Sequence, residues 1–600
     1  MNQAVILAGG KGTRLQTRLN GRPKPLIEID GVPLLERQVL ALRANGLSRL
    51  LLLVNYRADT IQEFCASRNN WGINIQCLDD GQPKGTAGAV LSILDRLDEE
   101  LLIVYGDTMF DIDIARMVRY HRGYGNAGMT LFLHPNDHPL DSDLVEIDTS
   151  GYVRAFHPYP HPPNVYLRNL VNAAFYVATK KALLPWRNAS VPLDFGKQLF
   201  PEMLKRGERL VGYISAEYIK DCGTPSRVDH VSNDCKRKVI ERASLAHRQR
   251  AVFVDRDGTL NREVGYITKP EQLDLFEGVG EAVRQLNENQ WKCIVITNQP
   301  VIARGDCTTA QLTEIHNKLE TEVARAHGYV DRIYHCPHHP DRGFVGEISE
   351  LKIACECRKP AIGLVKRAQV DFNLNLAECW FIGDSTSDIG AAQNSGVMSI
   401  LVETGIAGGD SKHPYAPDMT VSQFCDAVKF IVSGYQRLVA IMSNLLSNVR
   451  EGEDCIVDGC NAGHVGAVAC ALKREIRLRG VTCHVINSGA WACLDADGGV
   501  CRDVSAVAFI WAQLQSRSVA PVSIAVPQFT RGLSENVTRE VNICAKANDV
   551  IVWTGLSAIE LAKTAARAHT IIVVKDAQQD GNATSVFVEP NVEISWSRPN

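Results

Sequence analysis

Apolar residues along this chain come in short unbroken runs, and three of these runs feed directly into a loop of glycine or aspartate. The junctions read AVILAGGKGTRL from Ala4, AVFVDRDGTL from Ala251 and DCIVDGCNAGHVG from Asp454. An unbroken run of this length suits a strand buried on both faces, as in a parallel sheet. A loop of small or acidic residues at the C-terminal end of such a strand suits a phosphate ligand. RLLLLVN and ELLIVYGD read as further strands. PLLERQVLALRANG has helical spacing and a glycine stop at Gly46. The alternation predicts an α/β chain. One boundary is expected near 240–250, in the polar stretch CKRKVIERASLAHRQR. A second is expected between 425 and 453, where YQRLVAIMSNLLSNVREGED reads as an amphipathic helix and a charged turn. The predicted units are 1–243, 248–428 and 450–600, with no short internal repeat.

Composition changes this picture little. A chain of 600 residues has room for about three to five domains. The formal net charge of −4 argues against a chain built to coat nucleic acid or an anionic membrane. No apolar run approaches the roughly 20 residues that span a bilayer. The N-terminus lacks the basic start and long apolar core of a signal peptide. The 18 cysteines are therefore expected as reduced thiols, or as metal ligands where they cluster. The expected location is the cytoplasm. Neither nucleic acid nor membrane is expected as a partner, and a homo-oligomer stays open.

In the first unit Gly9, Gly10 and Gly12 follow the strand, and Arg14 comes just after. Small residues let backbone N–H groups approach a polyphosphate, and a following helix N-terminus favours negative charge. Arg14 can grip phosphate oxygens as a fork, and Lys24, set between two prolines in RPKPL, offers a point charge. The pair GGxGTRL and PKPL resembles the sugar-1-phosphate nucleotidyltransferases, the family of mannose- and heptose-1-phosphate guanylyltransferases, over residues 1–240. The resemblance implies a Rossmann-like fold and attack of a sugar 1-phosphate on a nucleoside triphosphate, with GTP favoured. It gives Arg14 and Lys24 catalytic roles and makes Gly85 and Thr86 part of the base- and sugar-binding loop. It also implies magnesium at Asp107 and Asp221, with Lys220 beside them on phosphate. The family's Glu-Lys-Pro triplet is absent: Tyr159 stands where its lysine would sit, and Asn172-Ala173-Ala174 replaces Asn-Ala-Gly. His157 and His161 could supply the missing cation, or AFHPYPH could be a plain surface loop.

In the second unit the strand ends in two aspartates one residue apart, so Asp255 and Asp257 leave it in the same direction. Asp255 can attack phosphorus, and Asp257 can protonate the leaving oxygen and then activate water. FIGDSTSD supplies Asp384, with Asp388 as a further acid. VITNQ supplies Thr297 and Asn298 as phosphate donors, and CRKP supplies Arg358 and Lys359. The four motifs in this order resemble the haloacid dehalogenase superfamily over residues 248–425. The resemblance implies magnesium at Asp255, Asp257 and Asp384. CPHHP and ACECRKP add Cys336, His338, Cys355 and Cys357, two close pairs of soft ligands suited to a closed, structural zinc site. His339 is the rival ligand. This loop, together with DRDGTLNREVGYITKPE, resembles the D-glycero-D-manno-heptose 1,7-bisphosphate 7-phosphatases, with histidinol-phosphate phosphatases as runner-up. Pro300-Val301 and Ser385 depart from the family pattern.

In the third unit IVDGCNAGHVGAVACALKREI resembles the phosphate loop of uridine-kinase-like enzymes. His464 and Val465 stand where lysine and a hydroxyl residue belong, and Trp553 and Thr554 occupy the usual acidic position. The expected unit is a P-loop kinase-like domain that has lost its chemistry. Together the readings predict a bifunctional enzyme. It would remove the 7-phosphate of a heptose bisphosphate and then activate the resulting heptose 1-phosphate. The alternative is one phosphatase flanked by a mannose-type transferase or by non-catalytic nucleotide-binding modules.

Overall fold

The computed structural model describes residues 1–435 apart from Lys11, Asp80 and Asn164. Beyond them it describes only short strands between residues 455 and 597. Among the described residues no helix is long and apolar enough to cross a membrane.

The first unit is built on a nine-stranded sheet. Its centre is Gln3–Leu7, paired in parallel with Arg49–Val54 on one side and Glu100–Tyr105 on the other. Asn74–Asp79 extends the first side, and Val171–Thr179, running antiparallel, extends the second. The central strands are buried along their length, so both faces carry apolar residues, as the unbroken runs require. The helix Leu34–Ala44 ends at Asn45 and Gly46, and Gly46 takes the left-handed conformation (φ 83°) of a helix stop.

The second unit is a six-stranded, all-parallel sheet. Its order is Arg332–Cys336, Lys292–Asn298, Ala251–Val254, Trp380–Gly383, Met398–Val402 and Met419–Val421. Connections run outward one way from Ala251–Val254 and the other way from Trp380–Gly383. The crevice at the carboxyl ends of these two neighbouring strands is thus the switch point where ligands bind in such sheets. Helices Val279–Glu288 and Thr309–Ala324 cover one face over Val252, Val254, Val295 and Ile382. Helices Gly363–Phe372 and Thr386–Ser395 cover the other over Phe253, Ile294 and Phe381.

Further along, Cys483–Val485, Val550–Val552, Cys455–Gly459 and Thr570–Asp576 form a parallel sheet in that order. Val592–Ser597 and Ser585–Val588 follow, antiparallel. The helix expected before residue 453, and the positions of His464, Val465, Trp553 and Thr554, lie outside the described residues.

Candidate functional sites

In the second unit Asp255 follows its strand directly, and its N–H donates to the Ile382 carbonyl at 2.9 Å. Asp384 follows the neighbouring strand. Asp388 enters from the first turn of the next helix, where Ser385 donates to it through N–H (3.0 Å) and Oγ (2.6 Å). Carboxylate oxygens of Asp255, Asp384 and Asp388 lie within 4.8 Å of one another. Lys359 Nζ sits 2.8 Å from Asp255 and 2.6 Å from Asp388. Burial, and then the Asp388 charge, push Asp255 well above the usual carboxylate range. Burial, Asp388 and Asp255 do the same to Asp384. Burial opposes the charge on Lys359, but Asp255 and Asp388 outweigh it and hold the ammonium protonated. Three crowded carboxylates with one lysine form a hard oxygen site that favours a divalent cation such as magnesium.

Asp257 does not join this cluster. The Arg256 guanidinium forks onto it, Nε to Oδ1 at 3.0 Å and Nη2 to Oδ2 at 2.7 Å. Gln299 and Asn261 amides donate at 2.8 and 3.1 Å. Burial raises its pKa, but Arg256 and the amides prevail and hold it below the ordinary range. Of the expected ligand set Asp255, Asp257 and Asp384, two side chains share this cluster with Asp388, while the Asp257 side chain is held as a separate carboxylate.

The other expected residues have structural partners. Asn298 Oδ1 accepts from the Lys359 N–H (3.0 Å), and its Nδ2 donates to the Lys359 carbonyl (3.2 Å). Its side chain therefore ties down the lysine loop. Thr297 is buried and accepts from Gln299 at 2.9 Å. Arg358 donates to the His338 carbonyl at 3.3 Å, which ties it to the cysteine loop. In that loop Cys336, His338, Cys355 and Cys357 bring their ligand atoms together, with separations of 3.2–3.7 Å among those in contact. Tetrahedral ligands about 2.3 Å from zinc stand at about this spacing. His339 is not part of the group; its Nδ1 accepts from the Asp341 N–H at 3.2 Å.

A cavity of about 1980 Å³ is lined by the first unit and, on its far side, by Arg284, Trp291, Lys292, Tyr329 and Asp331 of the second. Leu7 pairs with Tyr105, so the glycine loop and Asp107 leave the sheet at one level. Gly106 lies so near this loop that a Cβ would stand 2.8 Å from the Leu7 carbonyl. Asp221 ends a strand paired with Thr108–Asp111, and the Cys222 N–H donates to the Asp107 carbonyl at 2.7 Å. Both carboxylates line the cavity with Arg14 and Lys220. Lys24 pairs with Asp107, and Arg227 with Asp221. Asp221 Oδ1 is buried without a hydrogen-bond partner, an acceptor whose chemistry suits a cation. Lys220 Nζ turns to His230 Nε2 at 2.7 Å.

Three local arrangements bear on the expected site. The glycine loop leads into a three-residue 3₁₀ turn, Thr13–Leu15, and a four-residue helix, so no long helix N-terminus faces the phosphates. Gly85 takes φ 76°, and a Cβ there would collide with the Leu193 carbonyl; Thr86 Oγ1 donates to Asp194 at 2.8 Å. That loop therefore holds Asp194, which lines the cavity, and sequence spacing gave no sign of it. His157 is bound to Glu146 at 2.9 Å, and neither it nor His161 lines the cavity. Lys197, which follows Gly196 near Asn172, is among the cations that line the cavity.

Residues 3–238 match the family model for nucleotidyl transferases, and residues 356–427 match the HAD-hydrolase-like model. The chain is therefore an enzyme with a nucleotidyl transferase half and a HAD-type phosphatase half. Over 188 residues it is 35% identical to the D-glycero-beta-D-manno-heptose-1,7-bisphosphate 7-phosphatase of Haemophilus ducreyi, covering 30% of this chain and 98% of that protein. It is 37% identical to the D-glycero-D-manno-heptose-1,7-bisphosphate 7-phosphatase of Thermosynechococcus vestitus, covering 30% and 94%. Through this half the chain belongs to the D-glycero-D-manno-heptose-1,7-bisphosphate 7-phosphatase family. Among solved structures, HddC from Yersinia pseudotuberculosis aligns with TM-score 0.35 and 22% identity, covering 39% of this chain and all of that one.

Proposed function

We propose that the chain performs two successive steps on one sugar. The phosphatase half hydrolyses the 7-phosphate of D-glycero-D-manno-heptose 1,7-bisphosphate. The transferase half then moves a nucleotidyl group, GMP from GTP, onto the 1-phosphate that remains. The observation that carries this reading is the pairing, in one chain, of a heptose-bisphosphate-phosphatase-type site with a nucleotidyl transferase cavity.

In the phosphatase half Asp255 is the nucleophile. Its Oδ attacks phosphorus, the bond to the sugar oxygen breaks, and an aspartyl phosphate forms. Asp257 is held apart as a carboxylate by Arg256 and Gln299; it would take up a proton as the dianionic phosphate binds, pass it to the leaving oxygen and later take one from the attacking water. Lys359 holds the nucleophile in place and offsets charge on the phosphoryl oxygens. Magnesium, held by Asp255 and Asp384 with Asp388 close by, would supply charge neutralisation. Zinc held by Cys336, His338, Cys355 and Cys357 would close the loop to which Arg358 is tied.

In the transferase half Asp107 and Asp221 would hold magnesium, which neutralises triphosphate charge. Gly9, Gly10, Gly12, Arg14 and Lys24 bind the phosphates, and Lys197 takes the place of the family lysine on the sugar phosphate. Residues 450–600 act as a non-catalytic module, since the sequence lacks the phosphate-binding lysine of a working loop.

The test supplies heptose 1,7-bisphosphate, magnesium and each nucleoside triphosphate in turn, and follows phosphate, pyrophosphate and nucleotide-sugar by mass. The expected result is phosphate first, then pyrophosphate and GDP-heptose in equal amounts. Phosphate without nucleotide-sugar, from heptose 1-phosphate or mannose 1-phosphate with any triphosphate, would sink the transferase half of the proposal.

A further inference from the structure

The two halves meet along a surface where side chains of one grip the backbone of the other. Lys292 Nζ donates to the Ala216 carbonyl at 2.6 Å, and Arg332 Nη2 to the Ile214 carbonyl at 3.0 Å. Arg116 of the first half donates to the Val370 and Asp371 carbonyls at 2.9 and 2.8 Å. One contact reaches further. Helix Thr309–Ala324 buries Leu312, Ile315, Leu319 and Val323 in the phosphatase core. Three positions apart on that helix, and so on one face, Asn317 and Glu320 take hold of the transferase chain. Asn317 Nδ2 donates to the Tyr166 carbonyl at 3.1 Å, and Glu320 Oε2 accepts from the Asn169 N–H at 2.7 Å. Glu320 and Asn169 are both buried, and the Arg168 charge faces Glu320.

Asn169 passes this hold on. Its Oδ1 accepts from the Asn136 N–H (3.1 Å), and its Nδ2 donates to the Asn136 carbonyl (2.8 Å). Asn136 in turn accepts from the His138 N–H at 3.2 Å and donates to Ser142 at 3.1 Å. The segment from His134 to Asp143 forms the cavity's wall on the transferase side, and Asn172, three residues after Asn169, stands on the adjoining strand. A buried amide pair of this kind leaves the wall one arrangement, so long as Asn169 itself is fixed.

We infer that Glu320, a residue of the phosphatase half, is a positioning residue for the transferase half, fixing through Asn169 the wall against which the sugar phosphate sits. The inference rests on the reading of the cavity as the transferase substrate site. A carboxylate suits the task because a charge-assisted bond to a backbone N–H is stronger than a neutral one.

The test uses the full chain with Glu320→Ala and Glu320→Gln. Alanine leaves a buried N–H at Asn169 without an acceptor; glutamine keeps an oxygen there. For Glu320→Ala the KM for sugar 1-phosphate should rise about tenfold while kcat and the KM for triphosphate stay within about twofold. Glu320→Gln should recover most of that loss, and phosphate release should be unchanged in both. Amide hydrogen exchange at residues 134–143 should quicken in Glu320→Ala and stay near the parent rate in Glu320→Gln. Unchanged KM and exchange in a folded Glu320→Ala, or an equal loss in both activities, would overturn the inference. A parent chain that transfers no nucleotide defeats the functional reading instead, and the exchange measurement still decides whether Glu320 braces the wall.

Discussion

Lys359 bridges Asp255 and Asp388, with its ammonium nitrogen 2.8 Å from one carboxylate and 2.6 Å from the other. The lysine side chain is 2% exposed, so no water layer shares this charge. Lys359→Met should leave a cluster of acids without its fixed cation and lower kcat/KM for phosphate release by about 10²–10³-fold. Lys359→Arg should not restore it, because a planar fork cannot replace a point charge in so small a space. Nucleotidyl transfer to a supplied sugar 1-phosphate should persist in both variants. A folded Lys359→Met that keeps more than about a tenth of the activity would reduce Lys359 to a structural role.

The cysteine loop makes a prediction about content as well as activity. Four soft ligands at zinc spacing should carry about one zinc per chain, measured by elemental analysis of the purified protein. Cys355→Ser should lower that content and the melting temperature together, because binding at a closed site is coupled to folding of the loop. His339→Ala should leave zinc unchanged, since His339 binds within its own turn to Asp341. Zinc lost in His339→Ala but kept in Cys355→Ser would reverse the ligand assignment.

Gly85 tests the transferase half without touching a charged group. Its φ of 76° and its closeness to the Leu193 carbonyl leave no room for a side chain. Gly85→Ala should shift the loop, break the Thr86–Asp194 hydrogen bond and lower nucleotidyl transfer at least about tenfold, with phosphate release intact. Assaying both reactions on one preparation checks this. Equal losses would point to general misfolding instead.

What the sequence made legible is what local geometry controls. The strand-to-loop junctions at Gly9 and Asp255 needed only an apolar run and the residues that follow it. The zinc quartet was legible because each ligand pair is two residues apart. Asp388 was harder, because its carboxylate joins the cluster only through the helix start that Ser385 caps. The capture of Asp257 by Gln299 spans 42 residues and depends on neighbouring strands of the sheet. The choice left open for His157 was not legible for a related reason: strand pairing sets it beside Glu146 on the adjacent strand. The grip of Glu320 on Asn169 crosses 151 residues and left no mark in spacing or composition.

Asp331 offers a test of the packing between the halves. It is buried, its Oδ2 accepts from the Cys293 N–H at 2.8 Å, and Lys292 lies 3.9 Å away. Burial pushes its pKa up to about 6, with Lys292 and the Cys293 N–H opposing. A carboxyl raised in the folded state favours folding while protonated, and that contribution is lost as pH rises from about 4 through about 6. Above that range the buried charge costs at most about 3 kcal/mol, taking 1.36 kcal/mol per pH unit. Asp331→Asn keeps an acceptor for Cys293 and removes the charge, while Lys292 retains the Ala216 carbonyl. The variant should therefore melt a few degrees higher than the parent at pH 8, and the gap should shrink towards pH 5. Thermal melts at both pH values check this, and a gap that is absent at pH 8 would mean that Lys292 fully compensates the Asp331 charge.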